Sequence, residues 1–215
     1  MENYYNLRAS EYEEIYNRED PVRRAEQDKI ADAVRRVFKG RRVLEIACGT
    51  GYWTKFLSET ASYICAVDNA PDMLAMAGQK KYSCPTDFIM TDAFNPTVKA
   101  GSFEGGLANF WFSHIPKSRI DEFIKAFHHR LAPGAGVFMA DNVFIPGLGG
   151  ELVHPEGSED TFKQRTLKDG SKHLILKNYY DRRQLFEIFS RYCDSINEEN
   201  IFYGDCFWFI FYELS

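Results

Sequence analysis

The sequence predicts an α/β fold, a mostly parallel sheet with helices on both faces. Three observations carry this. Short apolar runs alternate with helical patterns from residue 21 to residue 142. One of them, VLEIACGTG at 43–51, breaks into glycines where a helix should begin. The last third of the chain then switches to extended stretches joined by tight turns.

Residues 21–38, PVRRAEQDKIADAVRRVF, carry Ile30, Val34 and Val37 on one helical face, with Asp20 as N-cap and Pro21 in the first turn. RRVLEI reads as a buried strand, and a helix runs from Gly51 to about Ser58. YICAVD (63–68) and APDMLAMAGQKK repeat the strand–helix unit. DFIMTD (87–92) and EGGLANFWF (104–112) are two further strands, SRIDEFIKAFHHRL an amphipathic helix, and GVFMADN (136–142) a fifth strand. Residues 143–160, rich in Gly, Pro and acids, read as a mobile loop. TFKQRTLKDGSKHLILKNYY is a hairpin around Asp169-Gly170, and DRRQLFEIFSRY a last helix. SINEENIF and DCFWFIFYEL form an antiparallel strand pair about Tyr203-Gly204.

At 215 residues the chain suits one domain. Its parts are a helical N-terminal lid at 1–40, a core at 41–142, a loop and hairpin insertion at 143–180, and a C-terminal helix and strand pair at 181–215. The net charge of −5 argues against a nucleic-acid partner, because a phosphate backbone requires a basic face. Five cysteines without a C-x-x-C pair fit reduced thiols in the cytoplasm, and no metal-ligand spacing appears. The start of the sequence has no apolar signal segment, and CFWFIFY is too short to span a bilayer, so no membrane partner is expected.

Glycines between a strand and a helix let a ligand approach the backbone. The dinucleotide fingerprint needs a third glycine where Thr54 stands, and no Gly-Lys-Ser/Thr follows to make a P-loop. Glu45 precedes the turn, Asp68 ends the second strand and Asp92 the third. An acid beside the turn repels a pyrophosphate but suits a ligand with ammonium and sulfonium groups. A carboxylate at 68 can accept both hydroxyls of a ribose. The set fits S-adenosylmethionine (SAM) better than NAD; a nicotinamide oxidoreductase and a non-catalytic SAM-binding protein are the rivals.

VLEIACGTG, AVDNAPDML, FIMTDAF, NFWFSHIP and RLAPGAGVFMAD resemble, in order and spacing, the motifs of class I SAM-dependent methyltransferases over about residues 40–142. YYNLRASEYEE, GTGYWT and QRTLKDGSKHLILK resemble segments of small phosphonate O-methyltransferases of dehydrophos biosynthesis. The resemblance implies a Rossmann-like, seven-stranded sheet with an antiparallel last strand, and S-adenosylhomocysteine (SAH) as product. It places Glu45, Ala47 and Gly49 at the methionine end, Asp68 on the ribose, and Asn69 and Met73 about the adenine. Asp92 and Ala93 would read the adenine edge, and Asn109 would close the pocket near the amino group. Trp53 would split between helix packing and cofactor contact, and Arg8 would neutralise the SAM carboxylate from the lid.

On the acceptor side, His114 follows the fourth strand and is a candidate base, with Trp111 beside it; a structural hydrogen-bonding role is the alternative for His114. If Lys168-Asp169-Gly170 is a three-residue loop, Leu167 pairs with Ser171, and Lys163, Arg165, His173 and Lys177 share one face. A two-residue Asp-Gly turn would instead separate Arg165 from Lys177. Arg165 and Lys177 are then either an anion clamp for a small substrate or exposed charges protecting a sheet edge. The expected activity is methyl transfer to a small anionic metabolite, with O-methylation of a phosphonate or carboxylate favoured. The alternative is an amine or phenol acceptor with His114 as base. The acceptor's identity and the oligomeric state stay open.

Overall fold

The computed structural model describes residues 2–8, 12–14, 16 and 19–215. Its strands are β1 (Arg42–Ile46), β2 (Tyr63–Asp68), β3 (Thr86–Met90), β4 (Phe103–Asn109), β5 (Leu131–Asn142), β6 (Leu152–Val153), β7 (Phe162–Thr166), β8 (Lys172–Leu176), β9 (Ile201–Tyr203) and β10 (Phe207–Glu213). Seven of them form one sheet in the order β3-β2-β1-β4-β5-β10-β9. Strands β1 to β5 pair in parallel, and β10 runs antiparallel to both β5 and β9. The strand order reverses between β1 and β4, which opens a crevice at their C-terminal ends.

Period-2 alternation decides which residues face which core. Leu44, Ile46, Cys65 and Val67 join Phe123 and Phe127 of helix α5 (Ile120–His129) and Leu185 and Phe189 of α6 (Arg182–Phe189). Val43, Ile64 and Ala66 point the other way, to Ile30 and Val34 of α2 (Pro21–Val37) and Trp53 and Leu57 of α3 (Tyr52–Ser58). Both faces are therefore covered. The Asp20 side chain accepts from the Arg23 N–H at 3.1 Å and starts α2 as the sequence predicts. The remaining helices are α1 (Glu2–Arg8) and α4 (Pro71–Gly78).

β6, β7 and β8 form a separate antiparallel sheet. Its hairpin has the three-residue loop: Leu167 N–H donates to Ser171 O at 2.9 Å, and Gly170 takes φ +86°. The register pairs Arg165 with His173 and Lys163 with Ile175.

Four expectations are corrected. Segment 143–160 is no plain loop, because it carries β6 and is held by the Lys163 ammonium, which donates to Leu148 O (3.2 Å) and Gly150 O (2.8 Å). SINEENIF forms only the short β9, because a 3-10 turn at Glu198–Asn200, capped by Asn197, occupies the rest. β3 stops at Met90, two residues before Asp92. β4 stops at Asn109, because Phe110 takes φ +58° and turns the chain out of the sheet. The five cysteines are free thiols, and among the described residues no helix is long and apolar enough to cross a membrane.

Candidate active site

After β1 the backbone turns sharply: Ala47 takes φ +53°, Gly49 +57° and Gly51 +77°. A left-handed alanine costs of order 1–3 kcal/mol and persists where surrounding contacts enforce it. Here those contacts come from β2. Cys48 N–H donates to Val67 O at 3.0 Å, and Gly49 N–H donates to Asp68 Oδ2 at 2.8 Å. Asp68 Oδ1 accepts from Ala70 N–H at 2.9 Å. Burial raises the Asp68 carboxyl pKa, while these backbone donors pull it down.

Above this turn lies a cleft of about 560 Å³ lined by Ala47, Gly49, Asp68, Asn69, Met73 and Ala93, with Trp111 and His114 at the far wall. The other five expected cofactor residues, Arg8, Glu45, Trp53, Asp92 and Asn109, do not line it. Glu45 is buried on β1, its Oε2 without a partner, and burial lifts its pKa to about 8. Asn109 is buried at the end of the adjacent β4, with neither amide atom hydrogen-bonded. Trp53 packs beneath the turn, stacked on Phe110 at 5.5 Å and edge-on to Tyr16, so helix packing describes it. Asp92 is exposed and caps the Phe94 N–H at 2.8 Å, while its neighbours Thr91 and Ala93 face the cleft. No group of three or more His, Cys, Asp or Glu able to hold a metal ion occurs among the described residues.

A second cavity, about 860 Å³ in all and open to solvent, lies next to the first. Tyr5, Tyr12, Phe110 and His114 line both. The second cavity gathers Arg8, Lys163, Arg165 and Lys177. Arg8, expected at the cofactor carboxylate, belongs to this cavity instead. Its guanidinium donates to the Tyr4 hydroxyl at 3.0 Å and packs over the Tyr12 ring at 5.1 Å. Tyr4 packs with Leu167 and Ile175 of the hairpin and Tyr5 against Ala70 and Met73, so α1 bridges the two cavities. Ala9, Ser10 and Glu11 of the expected lid lie outside the described residues.

Lys177 is no mobile point charge. Its buried ammonium donates to Ser113 Oγ at 2.6 Å and Asp141 Oδ1 at 2.9 Å. Burial alone would raise the Asp141 carboxyl, yet the Lys177 ammonium holds it down at about 2. Asp141 also accepts from the Ser113 N–H at 2.8 Å, which fixes the turn carrying His114. Sequence reasoning passed over Asp141; an acid inside the apolar run GVFMADN was its one signal. Arg165 has a freer end. Its guanidinium passes over Gly149, where a Cβ would stand 2.3 Å from Nη1 and push the arginine tip aside, and the φ of +74° there favours glycine. Lys163 is buried and, among the described residues, pairs with no carboxylate, bonding carbonyls instead.

His114 Nδ1 lies 2.7 Å from Leu176 O and therefore carries the proton, leaving Nε2 facing the Tyr5 hydroxyl at 3.1 Å. Burial, reinforced by Lys177, lowers its pKa to about 3. The unfolded imidazole titrates at about 6.5, so the unfolded chain takes up the proton first. The stabilisation from neutral His114 is therefore complete above about pH 6.5 and is lost as pH falls toward 3. Nitrogen-15 NMR of the folded protein is expected to show a neutral Nδ1–H tautomer down to about pH 4.5, well below the unperturbed value. An imidazolium spectrum at pH near 6 would contradict this placement.

Residues 43–134 match the methyltransferase domain family. A malonyl-[acyl-carrier protein] O-methyltransferase from Anoxybacillus flavithermus is 33% identical over 96 residues, 43% of this chain. The match spans 34% of that curated relative's length. Among solved structures, the DhpI–SAH complex superposes with a TM-score of 0.72 at 25% identity, covering 98% of this chain and 93% of that one. The DhpI–SAM–HEP complex reaches a TM-score of 0.76 at 24% identity, covering 97% and 94%. The PH0226 protein of Pyrococcus horikoshii OT3 shares the fold, with a TM-score of 0.69 at 15% identity and coverages of 92% and 93%. The matched domain and the fold support a class I SAM-dependent methyltransferase resembling DhpI, with SAM as the cofactor.

Proposed function

We propose that the protein methylates an ionised oxygen, phosphonate or carboxylate, on a small anionic metabolite. The observation that supports this most is the cationic cavity beside the cofactor cleft. Arg8, Lys163 and Arg165 stand there with Lys177, and Asp141 is matched to Lys177 alone. The cations work against one another: burial lowers the Lys163 pKa, and repulsion from Arg165 and Lys177 lowers it further. A bound anion would relieve that repulsion.

SAM, when bound, supplies a methyl group on a sulfonium that leaves readily. The chain's own residues align and shield. In this reading Asp68 holds the ribose, Asn69, Met73, Asp92 and Ala93 frame the adenine, and Glu45, Ala47, Gly49 and Asn109 surround the methionine end, with Trp53 supporting the turn and Trp111 closing the far wall. Arg165 and Arg8 hold the acceptor anion, while Lys177 fixes the hairpin base against Ser113. His114 and the Tyr5 hydroxyl sit where the two cavities meet and exclude water. An imidazole with a pKa near 3 is a poor proton acceptor, which weighs against amine or phenol acceptors needing His114 as base. An ionised acceptor needs no base. We read the chain as one domain over 1–215 with a lid, core, hairpin insertion and C-terminal pair, working in the cytoplasm on a small molecule rather than on nucleic acid or membrane.

The test is SAH release from a panel of phosphonates, carboxylates, phenols and amines at saturating SAM. Turnover confined to the anionic acids is expected. Turnover of phenols or amines in preference to them would overturn this function, and SAM binding without turnover of any acceptor would favour a non-catalytic protein.

A further inference from the structure

We propose that the acceptor carries an apolar carbon chain behind its anionic group, and that segment 143–150 is the wall recognising it. The inference rests on the anionic-acceptor reading above. Val143, Ile145 and Leu148 line the same cavity as Arg8 and Arg165. Among the described residues five large hydrophobic side chains are exposed, and two of them, Phe144 (39%) and Leu148 (38%), fall within this stretch. Val22, Met90, Leu174 and Phe144 are outside the cavity's lining, whereas Leu148 presents its exposed apolar side chain to the cavity beside Val143 and Ile145, a contiguous apolar patch where apolar matter is expected.

The wall is built rather than loose. Val143 N–H donates to Cys206 O at 2.9 Å, and Leu148 N–H to Ile145 O at 3.2 Å. The Lys163 ammonium holds the carbonyls of Leu148 and Gly150, with its charge 5.1 Å from the Phe144 ring centre. The position of Arg165 sets the geometry. Its guanidinium lies over Gly149, the residue next to Leu148, so an anion gripped there leaves its substituent beside the aliphatic wall. A wholly polar acceptor would gain nothing from Val143, Ile145 and Leu148, whereas each buried methylene tightens binding by up to about fourfold.

The experiment is calorimetric titration of n-alkylphosphonates, from ethyl- to octylphosphonate, into the full chain loaded with SAH. Affinity is expected to rise about two- to fourfold per methylene until the wall is covered, and that gradient should flatten in Leu148→Ser and Ile145→Ser. Equal affinity along the series, a fall with length, or a gradient untouched by both substitutions overturns the proposal. Absence of binding at every length overturns it together with the anionic-acceptor reading. SAH release with the same compounds separates the two claims: turnover without a gradient removes only the chain, and a gradient without turnover removes only the transfer.

Discussion

Arg165→Met is expected to lower kcat/KM toward an anionic acceptor by about 10- to 100-fold, given about 1.5–3 kcal/mol for a hydrogen bond to a charged group. SAH affinity should stay nearly unchanged, because Arg165 lines the cationic second cavity and not the cleft above the glycine turn. The half-buried guanidinium has burial lowering its pKa, yet arginine stays charged at any working pH. Methionine keeps most of the volume packed over Gly149 and removes the charge and the fork. Arg165→Lys should recover part of the loss, since a point charge remains without the two parallel donors. Steady-state kinetics with an anionic and a neutral acceptor decide the matter: equal loss for both, or none for either, would return Arg165 to a surface charge.

Asp68→Asn is expected to weaken SAM binding by about 100-fold or more, since two charge-assisted ribose bonds contribute about 1.5–3 kcal/mol each. The carboxylate already accepts from Gly49 and Ala70 N–H groups, so each oxygen keeps a lone pair for the sugar. It does two jobs: it staples the glycine turn to β2 and faces the cleft. Asparagine keeps one acceptor oxygen for the staple, which separates cofactor affinity from stability better than alanine does. Calorimetry with SAH on a variant whose melting temperature matches the parent is the measurement. Unchanged affinity would remove Asp68 from the cofactor site.

The alternation of strands and helices was legible because each element writes its own period. Leu44 and Ile46 face one core and Val43 the other, as period 2 requires. The glycine turn was legible because Gly49 and Gly51 occupy left-handed backbone. The hairpin was legible but its register was one of two the sequence allowed, and Gly170 at the bulge position of the three-residue loop gives Lys163 and Arg165 their shared face. All of these are local: the residues that encode them lie within a few positions of one another.

The site's charge balance was not local. Nothing near Lys177 in the chain announces Asp141, 36 residues away and completely buried, which turns an apparent free cation into half of an ion pair. Arg8 and the hairpin are brought together by packing of Tyr4 on Leu167 and Ile175, and Arg8 lines the second cavity with Arg165. Phe110 gives no sequence hint of its left-handed backbone, which ends β4 and sets the ring between both cavities. Trp53 and Asp92 were placed by motif spacing, yet packing against Tyr16 and a cap on Phe94 decide where their side chains point. By itself the sequence determined the fold, the glycine turn and the strand-end acid Asp68, because period and turn chemistry act over short range. Tertiary closure decided which charges are compensated and which stand ready for a ligand, because burial and Coulomb partners exist only once distant segments have met.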